Sequence, residues 1–145
     1  MTNVRGCNIP EELYYWVEKH VWARDEGGGI LTIGVTDPAQ SLASRVVAIT
    51  TKKVGKVLER GQSVATLESG KWVGPVPAPV DGEVIEVNPA ISTDPTLANS
   101  DPYGAGWVVK LQARDWEGQR SELATGPDAV ERYREFLEAE GIACE

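Results

Sequence analysis

Lys71 is the only lysine in a stretch of mostly small, apolar and turn-forming residues, ATLESGKWVGPVPAPVDGE, at positions 65–83. Glu68 lies three positions before it, Gly70 precedes it directly and Trp72 follows it. The segments on either side are predicted to be strands, so Lys71 is expected at the tip of the turn between them. An amine exposed in this way can be approached by a modifying enzyme from several directions. The pattern therefore favours covalent modification of Lys71, although an isolated lysine is ordinarily just a solvated surface residue.

Three other side chains have chemistry to offer. His20 is the only histidine, which excludes a histidine-rich metal site, and no GxSxG nucleophile motif accompanies it. We therefore expect His20 to pack and to form hydrogen bonds rather than to catalyse. Cys7 and Cys144 lie near opposite ends and form no CxxC motif. They could pair if the termini meet, or take part in sulfur exchange, but the favoured prediction is that both are reduced and uninvolved.

The charge of the chain limits the partners that it can have. Fourteen basic residues face 22 acidic ones, which gives a formal net charge of −8 at pH 7. Nucleic acid and anionic membranes attract basic surfaces, so neither is an expected partner. No segment has the length of a membrane span or the apolar core of a secretory signal. The expectation is a single domain over residues 1–145, monomeric and cytoplasmic, with residues 1–12 as an N-terminal extension.

Short strands separated by turns dominate the predicted structure. ILTIGVTD and GWVVKLQ alternate in hydrophobicity as half-buried strands do, and RVVAIT, KVLERGQSVATLES and GEVIEVN predict further strands. EELYYWVEKHVWA fits a helix or a strand, and its aromatic residues favour a strand. After Lys71, Pro75, Pro77 and Pro79 remove backbone donors from one side of the chain, which predicts an edge strand. The pair at positions 81–82, Asp-Gly, then predicts a tight turn.

Two helices are predicted among these strands. DPAQSLASR starts a short helix, with Asp37 as its N-cap and Pro38 in its first position. Residues 127–140 carry apolar side chains at helical spacing, and Gly141 is expected to end that helix. Together these elements predict a mainly β fold, a sandwich or barrel with peripheral helices.

The surroundings of Lys71 resemble the acceptor hairpin of lipoyl and biotinyl carrier domains. The segments KHVWAR, LTIGVTDPAQSLAS, LESGK, APVDGEVIEVN and LANSDPYGAGWVVKLQA are similar, in order and spacing, to the H protein of the glycine cleavage system. This resemblance covers residues 13–140. It implies a flattened barrel of two sheets, a barrel-sandwich hybrid, with lipoate in amide linkage to Lys71. It also implies a carrier rather than an enzyme, because the thiol–disulfide chemistry is that of lipoate itself.

The chain departs from this resemblance beside the lysine. Glycine-cleavage H proteins have a bulkier residue before the lysine and small residues after it, where this chain has Gly70 and Trp72. In this respect it resembles the lipoate-binding proteins of heterodisulfide-reductase-like sulfur-oxidising systems. The interpretation favoured from the sequence is therefore a carrier of sulfur intermediates, served by a lipoate ligase or other lipoyl-assembly enzymes. Its working partners would be a heterodisulfide-reductase-like complex and sulfur transferases. The expected attachment site consists of Lys71 with Glu68, Gly70 and Trp72.

The alternative is a glycine cleavage H protein, carrying an aminomethyl group from glycine decarboxylase to the aminomethyltransferase, with dihydrolipoyl dehydrogenase as a third partner. Biotin carriage is disfavoured because Gly70 and Trp72 occupy the places where methionines usually flank the lysine. A scaffold without a cofactor is disfavoured by the presence of the lysine. Trp72 either contacts a partner or folds back onto the sheet. The resemblance also implies a loop near the arm, shaped by Tyr103, Gly104 and Gly106.

Overall fold

The structure, a computed structural model, describes residues 2–144, and strands dominate it. In chain order the strands are β1 Asn3–Val4, β2 Cys7–Asn8, β3 Tyr14–Trp16, β4 Val21–Asp25, β5 Ile30–Val35, β6 Val46–Thr51, β7 Val57–Leu58, β8 Ser63–Ser69, β9 Val73–Pro77, β10 Gly82–Val87, β11 Val109–Ala113 and β12 Ala124–Thr125. The helices are α1 Asp37–Ala43, α2 Pro89–Thr93, α3 Leu97–Ser100, α4 Trp116–Gln119 and α5 Gly126–Glu140. Short 3-10 turns cover Val17–Lys19 and Arg120–Glu122.

Two sheets form the body of the protein. The larger has seven strands in the order β12-β3-β4-β5-β11-β10-β7, and the smaller has three in the order β6-β8-β9. Their inner faces share one core, to which β5 contributes Leu31 and Ile33, β8 contributes Ala65 and Leu67, and β10 contributes Val84. The alternation seen in the sequence produces this arrangement, because every second side chain of a strand points to the same face. The predicted mainly β fold of two sheets is confirmed, although the sheets do not close into a barrel.

The edge-strand prediction is also confirmed. Strand β9 pairs only with β8 and lies at the edge of the smaller sheet. The Ala78 N–H donates to the Gln62 carbonyl at 2.7 Å, which places the even-numbered donors of this segment towards β8. The nitrogens of Pro75, Pro77 and Pro79 therefore face outwards. The tight turn at Asp81 does not make a hairpin, because β9 and β10 belong to different sheets, and Asp81 instead accepts the Arg60 N–H at 2.7 Å.

The predicted helices form with one change at a helix start. The N-cap of α1 is Thr36, whose hydroxyl accepts the Ala39 N–H at 3.3 Å, and Asp37 is already helical. The prediction of Asp37 as the cap was therefore wrong by one residue. Thr36 is fully buried at the end of β5, so its hydroxyl is fixed close to the helix start. Helix α5 follows the prediction closely and ends at Gly141, which has φ of 68°.

The N-terminal hairpin β1–β2 and helix α5 cover one side of the larger sheet, over a second core. Trp22, Tyr15 and Tyr133 are its largest members, and each is at most 1% exposed. The Trp22 indole N–H donates to the carbonyls of Val35 and Pro102, both at 3.0 Å. A satisfied indole surrounded by apolar side chains makes this a rigid part of the molecule.

A disulfide joins Cys7 to Cys144, with the two Cα atoms 4.9 Å apart. The prediction that both cysteines are reduced and uninvolved was wrong, and the alternative that they pair because the termini meet is what the structure shows. The Cys144 N–H donates to the Arg5 carbonyl at 2.9 Å. Gly6, with φ of +84°, lets the tail approach, because a Cβ there would lie 2.1 Å from the Cys144 carbonyl oxygen.

Within residues 2–144, none of the helices is both long enough and apolar enough to cross a membrane. The prediction of one domain over residues 1–145 extends one residue beyond the described chain at each end.

Candidate functional site

The turn between β8 and β9 places Lys71 at its tip. Strand β8 ends at Ser69 and β9 begins at Val73, so the turn consists of residues 70–72. The Ser69 N–H donates to the Trp72 carbonyl at 2.8 Å and closes the turn. The Lys71 side chain is exposed. The structure thus presents the lysine amine to solvent at the end of a well-paired hairpin, as the sequence suggested.

The Ser69 side chain supports the turn from inside. Its hydroxyl oxygen accepts the N–H groups of Lys71 at 3.2 Å and Trp72 at 3.1 Å, and its side chain is 6% exposed. One buried hydroxyl therefore satisfies two donors that the turn would otherwise leave unpaired. Ser69 was not among the predicted site residues, although a serine two residues before a turn tip often bonds through its side chain to the backbone of the turn.

Glu68 and Gly70 contribute less than expected. Glu68 lies on the outer face of the smaller sheet, opposite Ala48 and Val73. Among the residues that the structure describes, neither Glu68 nor Lys71 forms an ion pair. The φ angle of Gly70 is not positive, and a Cβ added there would meet nothing within 4 Å. The structure shows no local need for a glycine at this position.

Trp72 folds back along its own strand. A Cβ added to Gly74 would lie 2.2 Å from Cζ2 of the Trp72 indole, so the ring sits directly over the Gly74 backbone. The side chain nevertheless remains 48% exposed. Of the two expectations for Trp72, the structure supports folding back, with one part of the ring left accessible.

A groove of about 580 Å³ opens beside the lysine, between the Lys71 hairpin, helix α1 and the 3-10 turn Val17–Lys19. Lys71 and Trp72 stand at its rim. Its walls are mainly apolar and include Val35, Leu42, Leu67, Trp72, Val76 and Pro77. The shape and lining suit a long apolar chain attached at the rim. Contact between such a chain and the apolar walls would remove apolar surface from water, which is favourable in free energy.

Three polar residues also line the groove, Glu18, Lys19 and His20. His20 Nδ1 lies 3.3 Å from the Tyr133 hydroxyl, and its ring stacks on that of Tyr133. Burial lowers the pKa of His20 to about 4, so the imidazole is neutral at ordinary pH. His20 thus links the groove to helix α5 as a packed, hydrogen-bonded residue.

The loop expected near the arm lies elsewhere. Tyr103 is not part of the groove wall. Its hydroxyl accepts the Asp37 N–H at 2.9 Å and donates to the Asn8 carbonyl, which ties β2 to the start of α1. Gly104 and Gly106 leave no room for a side chain, because an added Cβ would lie 2.5 Å from Asp101 and 2.4 Å from the Leu97 carbonyl. This loop shapes the fold and does not contact the groove.

Comparison with known proteins agrees with this geometry. A family model described as "Glycine cleavage H-protein" matches residues 13–138. The chain is 47% identical to "Probable glycine cleavage system H protein 2" of Sulfurisphaera tokodaii, over 99% of this chain and 98% of that protein. It is 45% identical to "Glycine cleavage system H protein 2" of Aquifex aeolicus, over 97% of this chain and 87% of that protein.

A solved structure, that of a glycine cleavage system H protein from Mycobacterium marinum, superposes with a TM-score of 0.74 at 29% identity. It covers 92% of this chain and 100% of the solved one. The family match spans the Lys71 hairpin, the groove and both sheets. The chain therefore belongs to the glycine cleavage H-protein family.

Proposed function

We propose that Lys71 is the lipoylated residue of this chain and that the protein is the lipoyl carrier of a glycine cleavage system. Proteins of this family carry lipoate covalently on a lysine and are carriers, not enzymes. The observation that carries the proposal is the position of Lys71, exposed at the tip of a hairpin that the Ser69 hydroxyl braces.

The residues around Lys71 fit a lipoyl group. The group would extend from the lysine amine, which stands at the rim of the apolar groove. Its hydrocarbon chain suits the apolar groove wall, where it would remove water from the side chain of Leu42, which is 45% exposed. Lipoate supplies a disulfide that undergoes thiol exchange and holds a transferred group on one sulfur. The chain itself holds the attachment point rigidly and offers a surface on which the arm can lie.

The attachment is tested by intact mass after co-expression with a lipoate ligase. We expect the mass of one lipoyl group to be added to the wild type and to Lys53→Arg, a control at another exposed lysine. Lys71→Arg keeps the charge but cannot form the amide, so its mass should not change. A lipoyl group that persists in Lys71→Arg would place the attachment site elsewhere and contradict the proposal.

The cargo proposed is the aminomethyl group, because the similar proteins are named for glycine cleavage. This group is basic, and Glu18 supplies a carboxylate to the groove wall. The partners would be glycine decarboxylase, the aminomethyltransferase and dihydrolipoyl dehydrogenase. The interpretation favoured from the sequence, sulfur oxidation, has no support among the named relatives and is the second candidate. The cation of Lys19 in the groove favours it, since sulfur intermediates are often anionic.

An exchange assay with glycine decarboxylase distinguishes the two candidate functions. The lipoylated protein should support exchange of bicarbonate with the carboxyl group of glycine at a rate comparable with an authentic H protein. Poor exchange by fully lipoylated protein would favour sulfur cargo and partners of the heterodisulfide-reductase-like kind. The cytoplasmic location and the monomeric state remain proposals, and a cytoplasm would have to keep the Cys7–Cys144 pair oxidised.

A further inference from the structure

Trp72 and Gly74 form a matched pair beside the attachment lysine. We propose that the Trp72 indole, seated on Gly74, positions the lipoyl arm of Lys71 by forming the wall of the groove on which the arm rests. This inference rests on the proposed lipoylation of Lys71. It makes Trp72 a positioning residue for the arm of this chain rather than an anchor for a partner protein.

The glycine at position 74 is explained by the indole. An added Cβ would lie 2.2, 2.5 and 2.8 Å from three ring atoms of Trp72, closer than real Cβ contacts come. The φ angle of Gly74 is not positive, so the backbone itself would accept another residue. Any larger side chain at this position would push the indole from its seat. Gly74 therefore leaves the space that this orientation of Trp72 requires.

The strand geometry decides which way the indole faces. Side chains two positions apart share one face of a strand, so Trp72 lies on the side of Gly74. Gly74 pairs with Leu67, whose side chain is buried and lines the groove. Val73 lies on the other face, opposite Glu68, and is 64% exposed. The indole thus turns towards the groove, and Val73 turns towards the outer surface.

The arm of Lys71 is the occupant that this position favours. Lys71 precedes Trp72 directly and lines the same groove, so the indole is within reach of a long group on the lysine amine. Leu42 of α1, which is 45% exposed, lines the groove as well. An aromatic face and an exposed leucine provide the apolar contact that a hydrocarbon chain and sulfur atoms prefer. The arm would cover the part of the ring that the protein leaves accessible.

The test uses the full chain in four forms, each lipoylated and checked by intact mass: wild type, Trp72→Phe, Gly74→Ala and the control Val73→Ala. The first measurement is tryptophan fluorescence before and after lipoylation, because a disulfide in contact with an indole quenches its emission. We expect lipoylation to reduce the emission of the wild type and of Val73→Ala. Gly74→Ala, which keeps the indole but displaces it, should lose this quenching, as should Trp72→Phe.

The second measurement is the rate at which a small phosphine reduces the lipoyl disulfide in the absence of any partner. A phosphine is a two-electron reductant that is oxidised to its oxide as the disulfide becomes two thiols, with water supplying the oxygen and the protons. We expect reduction to be about threefold to tenfold faster in Gly74→Ala than in wild type, since the arm would spend more time in solvent. Val73→Ala should react at the wild-type rate.

Each outcome bears on a different statement. Unchanged quenching and equal reduction rates in all four lipoylated forms would overturn the positioning role. If these two readouts are unchanged but turnover with glycine decarboxylase falls in Trp72→Phe, Trp72 is a partner contact and the inference is wrong. If mass analysis finds no lipoyl group on Lys71, the proposed function fails first, and this inference fails with it.

Discussion

The two ends of this molecule are built in opposite ways. The clasped end, formed by the hairpin β1–β2, helix α5 and the Cys7–Cys144 disulfide, encloses buried aromatic rings and closes covalently. The arm end, formed by the β8–β9 turn and the groove, has an exposed tip that is braced by a single hydroxyl. A carrier needs both properties. The position of the attachment point must be reproducible, and the group attached there must remain free to move.

Stability and accessibility are assigned to different regions of the fold. The rings of Trp22, Tyr15 and Tyr133 are at most 1% exposed, whereas Trp72 at the arm end is 48% exposed. Changes at the clasped end should therefore alter the free energy of unfolding and leave lipoylation intact. Changes at the arm end should do the reverse. His20 lies between the two, because it lines the groove and contacts Tyr133.

The largest effect is expected from opening the clasp. Replacing both Cys7 and Cys144 by serine frees the ends of a loop of 137 residues, which on the chain-entropy account lowers the free energy of unfolding by about 5 kcal/mol. Denaturant unfolding of the oxidised wild type and of the double variant measures this loss. Wild type under reducing conditions is the matched control and should behave like the variant. Lipoylation of Lys71 should proceed in all three, and a loss of lipoylation in the variant would show that the two ends are coupled.

A smaller loss in the free energy of unfolding is expected when His20 becomes protonated. His20 titrates near pH 6.5 when unfolded, but its folded pKa is about 4 because of burial. Between these values the unfolded chain binds more protons, so the contribution of neutral His20 is complete above pH 6.5 and is lost as the pH falls towards 4. The loss amounts to roughly 3 kcal/mol, at about 1.4 kcal/mol per pKa unit.

The measurement is the free energy of unfolding between pH 7 and pH 4, for wild type and for His20→Asn. Asparagine does not titrate and tolerates the left-handed backbone of this position, where φ is 58°. The variant should show a shallower pH dependence than the wild type in this range. Parallel curves for the two proteins would mean that His20 does not cause the dependence.

The smallest effect on stability is expected at the arm end. Ser69→Ala removes the acceptor for the N–H groups of Lys71 and Trp72 and should cost about 1 kcal/mol in the free energy of unfolding. Its functional effect should be larger, as a slower lipoylation of Lys71, because the turn would no longer hold one shape. Time courses of mass gain compare it with Thr66→Ala, an exposed change on the same strand. Equal rates for both variants would remove Ser69 from the site.

The parts of the fold that follow from periodic patterns could be predicted. Alternation in ILTIGVTD and helical spacing in residues 127–140 gave correct elements, because one buried face imposes a period on many residues. Helices α2 and α3 have five and four residues, too few for a period, and were not predicted. The Asn88-Pro89 pair does begin α2, with the Asn88 side chain accepting the Ala90 N–H, so a local pattern for it was present.

In the candidate site, too, local features could be predicted from the sequence and features that depend on the tertiary fold could not. Lys71 could be placed at a turn tip from the flanking strands alone, since turns between paired strands are local. The disulfide could not, because it depends on residues 137 positions apart being brought together by the tertiary fold. The contact of Trp72 with Gly74 could not be predicted either, because a tryptophan two positions before a glycine can also point its indole away from it. Gly70 shows the converse case, a residue that the sequence suggested and for which the structure shows no steric requirement.

The proline nitrogens along the free edge of β9 affect how long the hairpin stays bound to a partner. A bare sheet edge invites a second chain to continue the ladder, and main-chain bonds of that kind hold partners for long times. Pro75 and Pro77 within the strand, and Pro79 beyond it, offer no N–H to such a chain. The hairpin that carries Lys71 can therefore bind to an enzyme without β9 adding as a strand to a sheet of that enzyme. Fewer main-chain hydrogen bonds can then hold the hairpin to a partner, which favours the fast dissociation that the proposed delivery to several enzymes requires.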